Sequence, residues 1–479
     1  MNSSAAAALE EWRSLLAVLL LLGLGTILRL FMLGSPSLWL DENYSFVASS
    51  AGLPEILNNN AGPHPPFYFA LLHFWIDLGR SEFAVRLPSA ILGILSIPLI
   101  YLLGRTWFSE RIALLGSALL TLAPLHVWYS QEARMYSLLV FLGLASMLAI
   151  SRLVRGGRLA WLLVYFVSTL AGLYTHYAMI VFLLAEDIFL AGWWLAGKRM
   201  SRSYIFLVCA QIAVLAGFLP WVPMLLGHVT SSGTTGEGIA LKQMGLSLDN
   251  SLFVTVFVLS ATAMIAAIAA ILIRLRRTGF ILIQRIPWLT PAVLGAYTLV
   301  TIFSALPQAT SFKRQLVIFL PYFLMLAATF VGRLTKRRGL VTVSLVFLTC
   351  LALVGSYGQR DKEDWREAGS LVGLGGQSGD VILFHASYTS WPFDYYYEGT
   401  LPQVEVSPGG FDGQLSQVSA TYGRAWVILS HDRFVDPEMQ VRRWIDERWQ
   451  LVQITDLKGI TVGLYRTAQA PRGPNASES

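Results

Sequence analysis

Two adjacent carboxylates, Asp41 and Glu42, follow the first long apolar run of the chain, which spans about residues 15–33. An ionisable pair at a membrane boundary costs free energy, so it is a candidate for binding or chemistry. A carboxylate that is partly withdrawn from water can accept a proton from an incoming hydroxyl group. We interpret Asp41 as a candidate general base with Glu42 beside it. The alternative is a carboxylate pair that caps a helix at the interface.

Four further residues are candidates for contact with a phosphate group, and each has an ordinary structural alternative. His64 lies in a proline-rich segment, where it could contact a phosphate or a metal ion or be an ordinary loop histidine. Arg134 has the forked guanidinium group that suits phosphate, and Glu132 could orient it or hold the acceptor. These two could instead form a buried ion pair that ties two helices together. His176 could complete the site or be an interface residue.

A cationic pair, Lys313 and Arg314, falls in a segment that we predict to face outward, although basic residues usually favour cytoplasmic loops. The pair is therefore a candidate for binding an anion, either a lipid phosphate carried as substrate or an anionic head group. The sequence contains no glycine-rich nucleotide loop before a strand and no cysteine or histidine spacing typical of zinc. Together these residues favour a phosphate leaving group attached to a lipid over a soluble nucleotide.

The composition indicates the scaffold that must position these residues. Of 479 residues, 55% are hydrophobic and 13% are charged, whereas soluble proteins carry roughly 25% charged residues. Many apolar runs reach the length of a membrane span, so we predict a polytopic α-helical membrane protein with about 11 transmembrane helices. The predicted spans are 15–33, 88–104, 112–129, 137–152, 160–175, 178–197, 204–222, 251–273, 288–305, 316–332 and 340–356.

Loops rich in Lys and Arg alternate with the other loops along the chain. These basic loops lie at 105–111, 152–158, 198–202, 274–285 and 333–338. Because basic loops remain in the cytoplasm, we predict a multi-pass protein of the cytoplasmic membrane with a cytoplasmic N-terminus. We expect the first apolar run to be an uncleaved signal anchor. The same pattern accounts for the net charge of +6, so we do not expect nucleic acid as a partner.

The chain divides into two predicted domains and a tail. A transmembrane domain covers residues 1–356, with a catalytic first outer loop at 34–87 that contains two short interfacial helices. Residues 357–467 have the composition of a soluble protein and are predicted to form a small extracytoplasmic α/β domain, followed by a disordered tail at 468–479. The predicted strands are Val381–Phe384, Ala425–Leu429 and Thr461–Tyr465, with a helix at Arg442–Trp449.

Short motifs carry a resemblance to a known family. They are Leu38–Glu42, His64–Tyr68, Glu82–Ser89, Ser130–Tyr136 and Asp364–Arg366. In these motifs the sequence resembles the GT-C superfamily of membrane glycosyltransferases, and within it the bacterial branch related to dolichyl-phosphate-mannose–protein mannosyltransferases and lipid A aminoarabinose transferases. The match covers the first half of the chain well, the second half by hydropathy and the C-terminal domain only loosely. The resemblance implies a GT-C-type fold and a sugar donor carried on a polyprenyl phosphate.

The resemblance also implies roles for individual residues. Asp41 matches the catalytic acidic position in the first outer loop of the family. Glu132 and Arg134 fit the next outer loop. The later loop with Lys313 and Arg314 would lie near the donor phosphate.

One position departs from the pattern of the family. His64 stands where aminoarabinose transferases carry a lysine before the two prolines, and a neutral histidine would neutralise less phosphate charge. The mannosyltransferases and aminoarabinose transferases need no metal, whereas relatives that transfer oligosaccharides do. We therefore expect no cofactor. A divalent site formed by Asp41, Glu42 and His64 is the less favoured alternative.

The expected function is an inverting transfer of a sugar from a polyprenyl-phosphate donor to a hydroxyl group of a protein, lipid or glycan acceptor, outside the cytoplasm. The C-terminal domain would help to bind the acceptor, and membrane lipids would surround the helices. One rival is a transporter or flippase of polyprenyl-linked sugars, which we disfavour because the sequence shows no inverted repeat. Another rival is a structural or assembly subunit, in which Asp41 would be expendable.

Overall fold

The computed structural model of the chain describes residues 3–58, 64–195, 202–225, 317–334, 337–358, 362–406, 410–431, 436 and 438–467. The predicted spans 251–273 and 288–305, the tail 468–479 and the candidate residues Lys313 and Arg314 lie outside these described residues. The described part is mostly helical, with a five-stranded sheet in its C-terminal part. It contains two compact units, which are described separately below.

The helical unit is built from long apolar helices. In chain order the helices up to residue 358 are α1 (Ser3–Leu30), α2 (Leu40–Ser50), α3 (Leu53–Leu57), α4 (Phe67–Ile76), α5 (Glu82–Trp107), α6 (Glu110–Leu122), α7 (Pro124–Ser130), α8 (Tyr136–Val154), α9 (Ala160–Leu173), α10 (Ala178–Leu195), α11 (Arg202–Phe218), α12 (Leu320–Arg333) and α13 (Arg338–Gly358). Within the described residues, 5 helices are long and apolar enough to cross a membrane, or up to 6 if the bent pair α6–α7 counts as one span.

The predicted polytopic helical architecture is confirmed, and several predicted spans agree closely with the structure. Helices α8, α9 and α10 begin within a residue of the predicted starts. Helix α5 begins at Glu82, earlier than predicted, because Ser81 caps it: the Oγ of Ser81 accepts a hydrogen bond from the backbone N–H of Ala84 at 3.3 Å. Pro88, which we took as the start of the span, lies inside the helix.

The span predicted at 112–129 is broken in the structure. Helices α6 and α7 meet at Ala123 and are bent by 57° relative to each other. Pro124 is the first residue of α7, a position that proline favours because its missing N–H would have no helical partner there. Hydropathy continues across this break, so the length rule could not detect it.

Arg29 stabilises the broken span from the neighbouring helix α1. Its guanidinium group is fully buried and donates hydrogen bonds to the backbone carbonyls of Gly25, Thr121 and Leu120 at 3.1, 3.3 and 3.3 Å. It also contacts Nδ1 of His126 at 2.7 Å. The last carbonyls of a helix lack i+4 partners; at the end of α6 the carbonyl of Leu120 accepts from the backbone N–H of Ala123 at 3.3 Å, and Arg29 supplies a donor to both Leu120 and Thr121.

The second unit contains a mixed sheet between two helical layers. Its helices are α14 (Trp365–Gly375), α15 (Ser390–Asp394), α16 (Phe411–Thr421) and α17 (Gln440–Arg448), and its strands are β1 (Asp380–Phe384), β2 (Gln403–Glu405), β3 (Arg424–Leu429), β4 (Gln450–Leu457) and β5 (Ile460–Arg466). The strand order is β2-β1-β3-β5-β4, with β2, β1 and β3 parallel and the pairs β3–β5 and β5–β4 antiparallel.

Alternate residues of the central strands face the two helical layers. Val381 and Leu383 of β1 pack with α16 and α17, whereas Ile382 and Phe384 pack with α14 and α15. The small α/β domain and its three predicted strands are confirmed, but β2 and β4 were not predicted. Strand β2 has only 3 residues, and β4 is an edge strand whose side chains are mostly exposed.

The segment predicted as the first outer loop, residues 34–87, is divided between the two units. Gly34–Val47 belongs to the unit of the C-terminal domain, whereas the chain from Ala48 belongs to the helical unit. The segment contains three short helices, α2, α3 and α4, rather than the two that we predicted. Gly52 and Pro54 separate α2 from α3, since Gly52 is extended and Pro54 lies in the first turn of α3.

Candidate functional site

Asp41 and Glu42 lie in the first turn of α2, in the second unit. Carboxylates are favourable at this end of a helix because its free N–H groups carry partial positive charge. The side chain of Glu42 is fully buried and forms an ion pair with Lys362, with 2.9 Å between Oε2 and Nζ. Asp41 is only half-buried. The two neighbouring carboxylates therefore have different surroundings.

The Asp364–Arg366 motif holds the chain just before α2. The Oγ of Ser37 donates to Oδ1 of Asp364 at 3.2 Å and accepts from the backbone N–H of Arg366 at 3.3 Å. The guanidinium group of Arg366 donates to the carbonyl of Ser35 at 3.1 Å. Trp365, between the two charged residues, is fully buried in the domain core. The motif therefore anchors the outer segment to the C-terminal domain.

Three consecutive tyrosines of the C-terminal domain, Tyr395–Tyr397, contribute to the same anchor. The hydroxyl oxygen of Tyr396 accepts a hydrogen bond from the backbone N–H of Leu38 at 2.7 Å. The ring of Tyr395 packs edge-to-face on Phe46 of α2, with 4.9 Å between the ring centroids. Tyr397 packs against the domain core. Through these contacts the three tyrosines hold residues 38–46 against the C-terminal domain.

A second cluster lies in the helical unit and brings together His64, Arg134 and His176. Arg134 is 3% exposed, and one of its terminal nitrogens donates to Nε2 of His64 at 3.2 Å. The rings of His64 and His176 are stacked, with 5.8 Å between centroids. Three of the predicted phosphate contacts, which are distant in sequence, are thus neighbours in this unit.

His176 is held as a neutral imidazole. Its Nδ1 accepts a hydrogen bond from the backbone N–H of Ala178 at 3.0 Å, so a proton on the neutral ring belongs on Nε2. Burial, followed by the positive charge of Arg134, lowers the pKa of His176 from 6.5 to about 4. Part of the side chain stays accessible to solvent. The positive charge of the cluster at neutral pH therefore comes from Arg134.

The backbone around Arg134 is fixed by neighbouring side chains. Glu132 is buried, and its Oε1 accepts a hydrogen bond from Nε1 of Trp128 at 2.7 Å. The hydroxyl of Ser89 donates to the carbonyl of Arg134 at 3.1 Å. Gln131 caps the end of α1, since its Nε2 donates to three backbone carbonyls there at 2.8–3.2 Å. The short turn that carries Arg134 is thus tied to α1, α5 and α7.

Lys362 was not among the residues singled out from the sequence. Its partner Glu42 is 320 positions away in the sequence. Only the position of Lys362 two residues before the Asp364–Arg366 motif could have drawn attention to it. The described part of the chain contains no group of three His, Cys, Asp or Glu side chains that could bind a metal ion.

Comparisons with known proteins address the helical unit most directly. Residues 63–223 match the family model described as dolichyl-phosphate-mannose-protein mannosyltransferase. Over 155 residues the chain is 28% identical to YkcB of Bacillus subtilis (strain 168), whose name proposes mannosyltransferase activity. That match covers 32% of this chain and 21% of YkcB, so it spans about a fifth of the relative's length.

Two solved structures share the fold over nearly the whole chain. ArnT from Cupriavidus metallidurans in the apo state has a TM-score of 0.51 and 13% identity, covering 97% of this chain and 100% of ArnT. The archaeal oligosaccharyltransferase AglB from Archaeoglobus fulgidus, in complex with an inhibitory peptide and a dolichol-phosphate, has a TM-score of 0.51 and 13% identity, covering 97% and 75%. The family match covers residues 63–223, about a third of the chain, and these two likenesses show that the chain shares the fold of GT-C membrane glycosyltransferases. The family resemblance seen in the sequence is thereby confirmed.

Proposed function

We propose that the chain transfers a sugar from a polyprenyl-phosphate donor to a hydroxyl acceptor on the outer face of the cytoplasmic membrane. The observation that carries this proposal is the cluster of Arg134, His64 and His176 within the region matched by the mannosyltransferase family model. A buried guanidinium group beside uncharged imidazole rings suits a phosphate, because charge and hydrogen-bond donors act together at low dielectric. AglB, which shares the fold, has been solved with a dolichol-phosphate, and this favours a lipid phosphate as the anion.

In the proposed reaction Asp41 acts as the general base. Its carboxylate accepts the proton of the acceptor hydroxyl while that oxygen forms a bond to the anomeric carbon of the sugar. The bond from the anomeric carbon to the phosphate oxygen breaks, and the polyprenyl phosphate leaves with the electron pair. Attack opposite the leaving group inverts the anomeric configuration.

Arg134 is proposed to stabilise the charge that develops on the departing phosphate. Lys313 and Arg314 are assigned the same task from their sequence positions alone. Because His176 is neutral at physiological pH, we assign it hydrogen bonding rather than charge neutralisation. Glu132 is proposed to keep the Arg134 turn in place through Trp128.

The outer-face location, the cytoplasmic N-terminus and the acceptor remain part of the proposal. They are supported by the alternation of basic loops in the sequence. Protein, lipid and glycan hydroxyl groups are all compatible acceptors, and mannose, arabinose and aminoarabinose are compatible sugars.

The decisive experiment uses the full chain in lipid with a panel of labelled polyprenyl-phosphate sugars and compares the native protein with Asp41→Asn. We expect the native chain to release or transfer one of the sugars and Asp41→Asn to lose at least roughly a hundredfold in kcat, because the amide cannot accept the proton. Asp77→Asn is the matched control, since Asp77 is an exposed aspartate that follows α4 in the same outer segment.

Each outcome discriminates between functions. Full activity of Asp41→Asn on a donor that the native chain turns over would show that Asp41 is a structural cap and that another group is the base. Binding of donors with no turnover, even with protein, lipid and glycan acceptors supplied, would favour a transporter of lipid-linked sugars. Sugar transfer by Arg134→Met at unchanged donor KM would show that Arg134 does not bind the donor phosphate.

A further inference from the structure

The ion pair between Glu42 and Lys362 is buried on both sides. The side chain of Glu42 is 0% exposed and that of Lys362 is 9% exposed. Removing two charges from water costs several kcal/mol per ion, and the cost is offset only by good geometry. Lysine also loses more side-chain freedom on ordering than most residues. A surface pair would have avoided these costs, so this pair calls for a specific role.

The pair fixes the residue directly after Asp41. Successive residues of an α-helix point about 100° apart around its axis, so Glu42 cannot turn towards Lys362 without also setting the direction of Asp41. The residues before Asp41 are fixed by the same domain, because Leu38 donates to the hydroxyl of Tyr396 and Ser37 bonds Asp364. Asp41 is thus bracketed on both sides by contacts to the C-terminal domain.

We propose that Lys362 is a positioning residue that sets the direction of the Asp41 carboxylate through its ion pair with Glu42. By this proposal Glu42 serves as the internal partner of Lys362 and takes no proton in the reaction. The C-terminal domain then contributes to the chemistry by orienting the base, in addition to any contact with the acceptor. The proposal rests on the proposed role of Asp41 as base.

The ion pair between Lys362 and Glu42 allows the role of Glu42 to be tested separately from that of Asp41. Neutralising Glu42 removes this ion pair from Lys362, and neutralising Lys362 removes it from Glu42. Exchanging the two charges restores an ion pair with reversed polarity. A positioning role therefore predicts that the exchange recovers part of what either single substitution loses, whereas a proton-transfer role for Glu42 predicts no recovery.

The test compares Lys362→Met, Lys362→Arg and the double variant Glu42→Lys with Lys362→Glu, all in the full chain. We expect Lys362→Met to lower kcat by roughly tenfold to a hundredfold with donor KM within about threefold of native, because displacing a catalytic group by about 1 Å can cost a hundredfold. Lys362→Arg should keep most of the rate. Glu447→Gln, which breaks an exposed ion pair of the same domain, should leave kcat unchanged.

A second readout does not depend on turnover. Amide hydrogen exchange over residues 38–46 should be faster in Lys362→Met than in the native chain and should return towards native in the charge-exchanged variant. Unchanged exchange over this segment in Lys362→Met would overturn the proposal, as would a kcat loss that the double variant does not recover at all. If the native chain turns over no donor, the proposed function is contradicted. The positioning of residues 38–46 by Lys362 would still be supported if hydrogen exchange there responds to Lys362→Met as expected.

Discussion

The described part of the helical unit contains two buried arginine–histidine pairs, one formed by Arg29 and the other by Arg134. Arg29 contacts Nδ1 of His126, and Arg134 contacts Nε2 of His64, at 2.7 and 3.2 Å. The guanidinium groups are 0% and 3% exposed. Arg29 donates in addition to three backbone carbonyls of α1 and α6. Arg134 contacts the side chain of His64, and its charge acts on a third side chain, that of His176.

This difference separates a structural pair from a candidate binding pair although the residue types are the same. The hydrogen bonds of Arg29 go to backbone carbonyls next to the break at Pro124, so the role of Arg29 is completed within the fold. The cluster of Arg134 instead collects side chains from three separated segments, all of which were selected from the sequence as candidate phosphate contacts. Burial of an arginine alone therefore says little about its function.

The largest expected effect is on stability, from Arg29→Met. The substitution removes the donor that the carbonyl of Thr121 and Nδ1 of His126 share inside the membrane domain, so we expect a loss of about 3–5 kcal/mol. Thermal unfolding in lipid measures it. Arg13→Met in the exposed first half of α1 is the matched control and should be neutral. Stability equal to the native chain would mean that Arg29 is as open to a ligand role as Arg134.

The next effect falls on donor handling, from Arg134→Met. Hydrogen bonds to charged groups are worth about 1.5–3 kcal/mol, so we expect kcat/KM for the donor to fall by up to about a hundredfold. Arg134→Lys should recover part of this loss because it keeps the charge but lacks the fork. Arg111→Met, at an exposed position near the start of α6, should not change donor kinetics. A fall in stability like that of Arg29→Met with unchanged donor KM would place Arg134 in the structural class.

Helix positions and candidate site residues that depend on local sequence patterns could be predicted from the sequence. Hydropathy located α8, α9 and α10 closely, because an apolar run of sufficient length is itself the physical requirement for a span. Motifs at the outer ends of the helices selected His64, Arg134 and His176, which meet in one cluster.

Features that depend on distant contacts were not predictable. At the bend before Pro124 the carbonyl of Thr121 accepts a hydrogen bond from Arg29 of another helix. The apolar run shows no interruption at this bend. The partner of Glu42 is 320 residues away, so its burial could not be inferred from α2 alone. Strand β4 is exposed at a sheet edge, where the alternation of apolar and polar residues is not enforced by a core.

The smallest expected effect is a pH dependence of stability at His176. Its pKa in the folded chain is lowered to about 4 by burial and by Arg134, whereas the unfolded chain has the ordinary value of 6.5. Between these values the unfolded state binds a proton that the folded state does not, so stability is full above pH 6.5 and falls as the pH drops towards 4.

Discounted for the accessible part of the His176 ring, the loss at pH 5.5 is about 1 kcal/mol relative to pH 7. Thermal unfolding between pH 7.5 and 5 measures it, and His176→Gln should flatten the dependence because glutamine does not titrate. Arg134→Met should reduce it only partly, since burial is the larger cause and remains. An unchanged slope in His176→Gln would mean that the ring titrates in the folded chain as it does in the unfolded chain, with a pKa near 6.5. The Arg134 cluster would then gain a second positive charge as the pH falls below 6.5, and the contrast with the Arg29 pair would become sharper.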